Sequence, residues 1–215
     1  MRSALSGIEN LLSPLRIIPV LVIEDAADSL PLAEALIEGG LTVLEVTLRT
    51  PVAADALSRM KKAFPDALVG AGTVVDAQRI LTAENAGADF LVSPGCSADL
   101  LDAAQGSSLP FIPGVSTTSE AMTALSKGFT LQKFFPAQLA GGPAFLKSLA
   151  TVLPDVRFMP TGGINPQNVG DYLALANVAA VGGTWIAPAP LVTEKRWSAI
   201  RDLATEAHGL TTNSI

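Results

Sequence analysis

The chain has 215 residues, 49% of them hydrophobic, and a net charge of −6. That length supports one large core without division into domains, and the acidic balance argues against nucleic acid or an anionic membrane surface as partner. One cysteine, Cys96, excludes internal disulfides and thiolate metal clusters and suits a reducing, cytoplasmic compartment, and no apolar run approaches the roughly 20 residues of a membrane span.

Residues 1–15, MRSALSGIENLLSPL, read as an amphipathic helix in which Glu9 interrupts the apolar residues. IIPVLVI at 17–23 is a β-branched strand, and ADSLPLAEALIEGG is a helix that stops at Gly39-Gly40. TVLEVTL at 42–48 is a second strand. Thr50-Pro51 starts the next helix with a capping hydroxyl and a proline, and Lys61 and Lys62 complement the dipole in its last turn. LVGAGTV at 68–74 and DFLVSPG at 89–95 are strands, each followed by a helical stretch, the first ending at Gly87 and the second capped by Ser97. LPFIPGV at 109–115 precedes a helix with capping-box spacing from Thr117 to Glu120. The sixth strand lies within GFTLQKFFPA at 128–137 and leads to the helix GGPAFLKSLATVL. VRFMPTGGI at 156–164 and VAAVGGTWI at 178–186 are the last strands, followed by the helices PQNVGDYLALAN and TEKRWSAIRDLATEAHG.

These elements make eight strand–helix units with strands apolar almost throughout, hence buried on both faces in a parallel sheet. Eight such units in a chain of this size predict a (β/α)₈ TIM barrel, one domain over 1–215 with the helix at 1–15 packed on it as an addition. The competing fold is a doubly wound open sheet. It normally carries a glycine-rich phosphate turn after its first strand, and VIEDAAD has no glycine.

In such a barrel, chemistry sits at the C-terminal strand ends. Lys133 is the one lysine inside a strand, and Glu45 is a carboxylate in the middle of another. A lysine there either snorkels from an edge, pairs with an anion, or is neutral. A neutral amine is a nucleophile for carbonyl carbon, the chemistry of Schiff-base enzymes. A structural Glu45–Lys133 ion pair is the plain alternative, although buried pairs stabilise poorly. Strand alternation puts Glu45, Thr47 and Arg49 on one face, and Lys133 and Phe135 on one face. The single histidine, His208, falls beyond the last strand, so a His-ligated zinc or iron site is close to excluded and no metal site is expected. Cys96, after Ser93-Pro94-Gly95, reads as a packing residue.

GAGT at 70–73 offers close backbone approach and the Thr73 hydroxyl. TGGI (Thr161, Gly162, Gly163) and GGT (Gly183, Thr184) end the last two strands, where barrels commonly hold phosphate on backbone N–H groups. The plain alternative is a pair of tight turns that need φ > 0.

IPV at 18–20, LEVTLRT at 44–50, VGAGTV at 69–74, SPG at 93–95, IPG at 112–114, KFFPA at 133–137, PTGGI at 160–164 and GGTW at 182–185 span nearly the whole chain. Together they resemble the 2-keto-3-deoxy-6-phosphogluconate aldolase family, many of whose members also split 4-hydroxy-2-oxoglutarate. The resemblance implies a class I, metal- and cofactor-free lyase on a (β/α)₈ barrel, assembled as a homotrimer and acting on a phosphorylated 2-keto acid. It implies Lys133 as the Schiff-base lysine and Glu45 as the acid/base, with Arg49 and Thr73 on the pyruvate carboxylate. Phe135 would pack on the pyruvyl group, and Thr161, Gly162, Gly163, Gly183 and Thr184 would serve the phosphate. A serine is common where Thr184 stands; the hydroxyl is kept.

Three other readings stay open on the residues. One is an aldolase for the galactonate-derived epimer or for unphosphorylated 4-hydroxy-2-oxoglutarate, since nothing in the sequence reads stereochemistry at C4. Another is a phosphosugar isomerase or epimerase with Glu45 as base, which would not need a strand lysine. The last is a metabolite-binding barrel in which Glu45 and Lys133 are merely paired.

Overall fold

The structure, a computed structural model, describes residues 15–212; apart from Leu15, the helix expected at 1–15 lies outside them. Parallel strands alternate with helices along the described chain: β1 (Ile17–Leu21), α1 (Ser29–Glu38), β2 (Val43–Thr47), α2 (Ala53–Ala63), β3 (Leu68–Gly72), α3 (Ala77–Ala86), β4 (Leu91–Val92) and α4 (Ala98–Gln105). There follow β5 (Phe111–Ile112), β6 (Gly114–Val115), α5 (Thr118–Ser126), β7 (Leu131–Phe134), α6 (Gly142–Val152), β8 (Arg157–Pro160), α7 (Val169–Leu173), β9 (Val181–Gly183), α8 (Ala189–Thr193) and α9 (Trp197–Thr212).

The strands pair in the order β5-β4-β3-β2-β1-β9 and β6-β7-β8. All pairings are parallel, and β1 lies between β2 and the last strand, β9, without the order reversal of a doubly wound sheet. The expected strand at 109–115 is two short ones because Pro113 has no N–H to give the ladder. Its chain changes partner there: Ser93 N donates to Ile112 O, while Lys133 N donates to Pro113 O. Single parallel bridges, Phe158 to Val178 and Thr161 to Gly182, link β8 and its end to the β9 segment.

Side chains divide by strand alternation into two apolar layers. Ile17, Leu21, Leu44, Val46, Phe134 and Phe158 pack against helices, where Phe134 stacks on Phe145 of α6 at 5.4 Å between centroids. Ile18, Val43, Phe90, Leu131 and Met159 pack on each other on the opposite, inner face. That inner layer is made of strand residues and their flanks, and it forms an apolar floor beneath the polar residues two positions further along β2 and β7.

Several local expectations change in detail. Thr50 does not cap α2; its hydroxyl donates to Ile23 O at 2.6 Å, and Val52 occupies the cap position without a side-chain bond. The helix expected from Pro166 shrinks to the five residues of α7, because Asn165 Oδ1 accepts from the N–H groups of Gln167 and Asn168 and so builds a turn instead. Ser97 and the Thr117–Glu120 capping box act as the spacing predicts. Asp89 is a structural residue, accepting from Val69 N at 2.7 Å and Lys61 Nζ at 2.8 Å.

Candidate active site

On β2, Val43 belongs to the inner apolar layer, so alternation carries Glu45 and Thr47 onto the same face. On β7, Leu131 is in that layer and Lys133 follows two residues on. The two charged groups meet: Lys133 Nζ donates to Glu45 Oε1 at 3.0 Å, with Lys133 4% and Glu45 0% exposed. Glu45 Oε2 is buried and has no hydrogen-bond partner among the described residues. The Phe135 ring lies beside the amine, 5.7 Å from centroid to Nζ.

Gly72 makes this pair possible. A Cβ on Gly72 would fall 2.3 Å from Glu45 Oε1, so only a glycine leaves the carboxylate its place. The neighbouring Gly70 accommodates the Phe90 ring in the same way. The glycines of GAGT thus make room for side chains of the protein itself.

One residue beyond Gly72, Thr73 takes φ +60°, a left-handed conformation unusual for a β-branched residue. Its hydroxyl accepts from Arg49 Nε at 3.1 Å, and Arg49 stands exposed just past the end of β2. Thr47, between Glu45 and Arg49, is buried and donates to Leu21 O at 2.8 Å, so it is committed to structure.

The two glycine loops lie side by side, joined by the Thr161–Gly182 bridge. Thr161 is 4% exposed, and its hydroxyl has no partner among the described residues. Gly162 (φ +99°) abuts the Phe135 ring, which a Cβ would approach at 3.2 Å, and Gly163 (φ +76°) abuts Gln138. The Trp185 ring fills the space that a Cβ on Gly183 would take, and Thr184 is exposed. Three successive carbonyls of the first loop are occupied: Thr161 O accepts from Ala137 N, Gly162 O from Gln138 N, and Gly163 O from Asn168 Nδ2. The N–H groups of Gly162, Gly163 and Ile164 donate to no acceptor among the described residues.

Gln138 and Asn168 are the supporting residues that the sequence reading passes over, and Gly72, expected to let backbone approach a ligand, makes room for Glu45 instead. Asn165-x-x-Asn168 between a glycine pair and a short helix is the one local signal that could have found Asn168. Burial raises the Cys96 thiol above its ordinary pKa and the Glu120 carboxylate adds to the shift, which disfavours a thiolate nucleophile. Among the described residues no three His, Cys, Asp or Glu side chains gather as a metal would need.

A buried amine against a carboxylate with one free oxygen, an exposed guanidinium nearby and a loop of unused N–H groups can hold an anionic carbonyl compound and move its protons. The comparisons with known proteins point the same way. A family model described as KDPG and KHG aldolase matches residues 8–203. The 2-dehydro-3-deoxy-phosphogluconate aldolase of Pseudomonas aeruginosa is 46% identical over 93% of this chain and 91% of that protein. The KHG/KDPG aldolase of Escherichia coli K12 is 43% identical over 96% of this chain and 97% of that protein. A crystal structure of the KDPG aldolase from Legionella pneumophila, with pyruvate captured at low pH as a covalent carbinolamine intermediate, is 48% identical. It superposes with a TM-score of 0.90 over 93% of this chain and 97% of that one.

Proposed function

This chain belongs to the family of KDPG and KHG aldolases, and we propose that it cleaves 2-dehydro-3-deoxy-6-phosphogluconate to pyruvate and glyceraldehyde 3-phosphate through a Schiff base on Lys133. The observation that carries the reading is the buried Lys133–Glu45 contact at 3.0 Å with Glu45 Oε2 unengaged among the described residues. A proton passed from the ammonium to Glu45 leaves a neutral amine facing the inner end of the site. That amine adds to the C2 ketone to give a carbinolamine, and loss of water gives an iminium. Glu45 takes the proton of the C4 hydroxyl as the C3–C4 bond breaks, and the iminium accepts that bond's electron pair. Glyceraldehyde 3-phosphate leaves and an enamine remains, which is protonated at C3 and hydrolysed to pyruvate and free Lys133.

Glu45 serves as the acid/base of these steps, a role of about 10²–10⁴ in rate for a positioned group. Arg49, steadied by Thr73, pairs with the substrate carboxylate and fixes the ketone against the amine. Phe135 packs on the pyruvyl carbons beside Lys133. The loops carrying Thr161, Gly162 and Gly163, and Gly183 and Thr184, receive the phosphate on backbone N–H groups and hydroxyls.

The reaction runs in one domain whose strands close as an eight-stranded barrel. Its support is the pairing of β1 with β9, the change of partner at Pro113 and the bridges between β8 and β9. Assembly is as a homotrimer in the cytoplasm; exposed Leu139, Met122 and Val152 offer apolar surface for subunit contact, and the lone Cys96 thiol suits a reducing compartment. The kinship to proteins named KHG/KDPG aldolase favours a second substrate, 4-hydroxy-2-oxoglutarate, split to pyruvate and glyoxylate at the same lysine.

The test is intact mass and peptide mapping after incubation with pyruvate and borohydride. One reduced pyruvyl adduct on Lys133 is expected. No adduct in folded protein that binds pyruvate would overturn the aldolase reading.

A further inference from the structure

The Thr161–Ile164 loop is held from behind by its carbonyls. In a trans peptide the C=O and the following N–H point in opposite directions, so fixing one aims the other. Ala137 N on Thr161 O (2.8 Å) aims the Gly162 N–H, and Gln138 N on Gly162 O (3.0 Å) aims the Gly163 N–H. Both donors are backbone groups of the segment directly after β7. The third peptide differs: Gly163 O is held by a side chain, Asn168 Nδ2, at 3.0 Å, and that contact aims the N–H of Ile164. Ile164 is 6% exposed, and its N–H donates to no acceptor among the described residues. That donor is therefore left for a partner outside the described residues.

We propose that the Ile164 N–H is a third donor of the phosphate cradle and that Asn168 is the positioning residue that aims it; this rests on the phosphate reading of Gly162 and Gly163. Asparagine suits the task because its amide works in both directions at once. Nδ2 donates to Gly163 O while Oδ1 accepts from Asn165 N at 2.9 Å, which locks the side chain across the turn. Aspartate retains the acceptor and loses the donor, and it turns a second oxygen toward the Gly163 carbonyl. The loop then loses the hold on its third peptide while the Asn165 turn stays closed.

The experiment measures kcat and KM of the parent, Asn168→Asp and Asn168→Ala proteins on 2-dehydro-3-deoxy-6-phosphogluconate and on its unphosphorylated counterpart. Inhibition by inorganic phosphate and melting temperature are followed in parallel. The ratio of kcat/KM between phosphorylated and unphosphorylated substrate falls about tenfold in Asn168→Asp, mostly through KM, and phosphate inhibition weakens by a similar factor. An Asn168→Asp protein that keeps the parent's ratio, or loses both substrates equally, overturns the proposal. If Asn168→Ala fails to fold, Asn168→Asp alone decides. A parent protein that shows no preference for the phosphorylated substrate and no inhibition by phosphate instead removes the phosphate reading itself, and that result is visible before any variant is made.

Discussion

Glu45 Oε1 accepts from Lys133 Nζ at 3.0 Å, and the other oxygen of the same carboxylate, Oε2, is buried without a partner among the described residues. A buried ion pair repays its desolvation only when its remaining lone pairs are also satisfied. Here they are not, so the pair is a poor device for stability and a good one for moving protons. It also lies directly above an apolar floor of Val43 and Leu131, which keeps water from approaching from below.

Removing either partner should therefore separate chemistry from folding. Lys133→Ala is expected to abolish the borohydride-trapped adduct and turnover. Glu45→Gln keeps the shape and should lower kcat by about 10²–10⁴. Glu45→Ala, which strands the ammonium, should also cost about 3–5 kcal/mol of stability, whereas the double change Lys133→Met with Glu45→Gln should cost clearly less. Urea unfolding of the four proteins checks the second half. A Glu45→Ala protein as stable as the double variant would count against the pair being desolvated.

Thr73 bears a local strain that its contact with Arg49 explains. A β-branched residue at φ +60° costs about 1–3 kcal/mol, and Gly at the same place is free of that cost but loses about 0.5–1 kcal/mol to backbone entropy. Thr73→Gly should therefore fold with equal or greater stability while KM rises, because Arg49 Nε loses its acceptor. Melting temperature and steady-state kinetics on the same preparation test this. A protein that is both less stable and unchanged in KM would show that the conformation has no link to the guanidinium.

Gly72 tests the geometry of the pair without touching either member. Its missing Cβ would stand 2.3 Å from Glu45 Oε1 and 2.9 Å from Cδ, too close for any side chain. Gly72→Ala must push the carboxylate away from Lys133, so kcat should fall toward that of Glu45→Gln while the protein still folds. Pyruvate trapping at Lys133 should slow as well. Parent-like turnover in Gly72→Ala would mean that the carboxylate has another position from which to work.

How much of this was legible in the sequence follows from the range of the forces involved. Strand alternation is local, so it grouped Glu45 with Thr47 and Arg49, and Lys133 with Phe135, before any fold was known; that both faces turn inward and meet is set by the sheet. The reason for Gly72 was not legible, because the atom it makes room for sits 27 residues earlier in the chain, on a neighbouring strand. Thr50 shows the same limit: the local rule predicts a helix cap, and the Ile23 carbonyl of another segment takes the hydroxyl instead. Pro113 broke a strand that hydropathy alone would continue, since periodicity counts side chains and not N–H donors. Asn168 was hidden for a related reason, being one polar residue in a stretch whose pattern suits a longer helix.

A last expectation concerns acid. Burial works against the charge on Glu120, but hydrogen bonds from the backbone and hydroxyl of Ser116 and Thr117 outweigh it and hold the carboxyl below the ordinary range. All four converge on Oε2 at 2.8–3.0 Å, and the one from Thr117 N, with the Glu120 N–H donated to Thr117 Oγ1, forms the capping box of α5. A lowered native pKa means that the unfolded chain binds the proton more readily. The stability contributed is then fully present above the unfolded value of about 4.3 and is lost as pH falls below it through the native value. Glu120→Gln, which cannot ionise, should lower stability at pH 7 by about 0.5–2 kcal/mol, the usual worth of a cap. It should also flatten the acid limb, so that parent and variant converge as pH drops from 5 toward 3. Urea midpoints across that interval measure both effects. A gap that stays constant with pH would show that the box works through its geometry and not through the charge on Glu120.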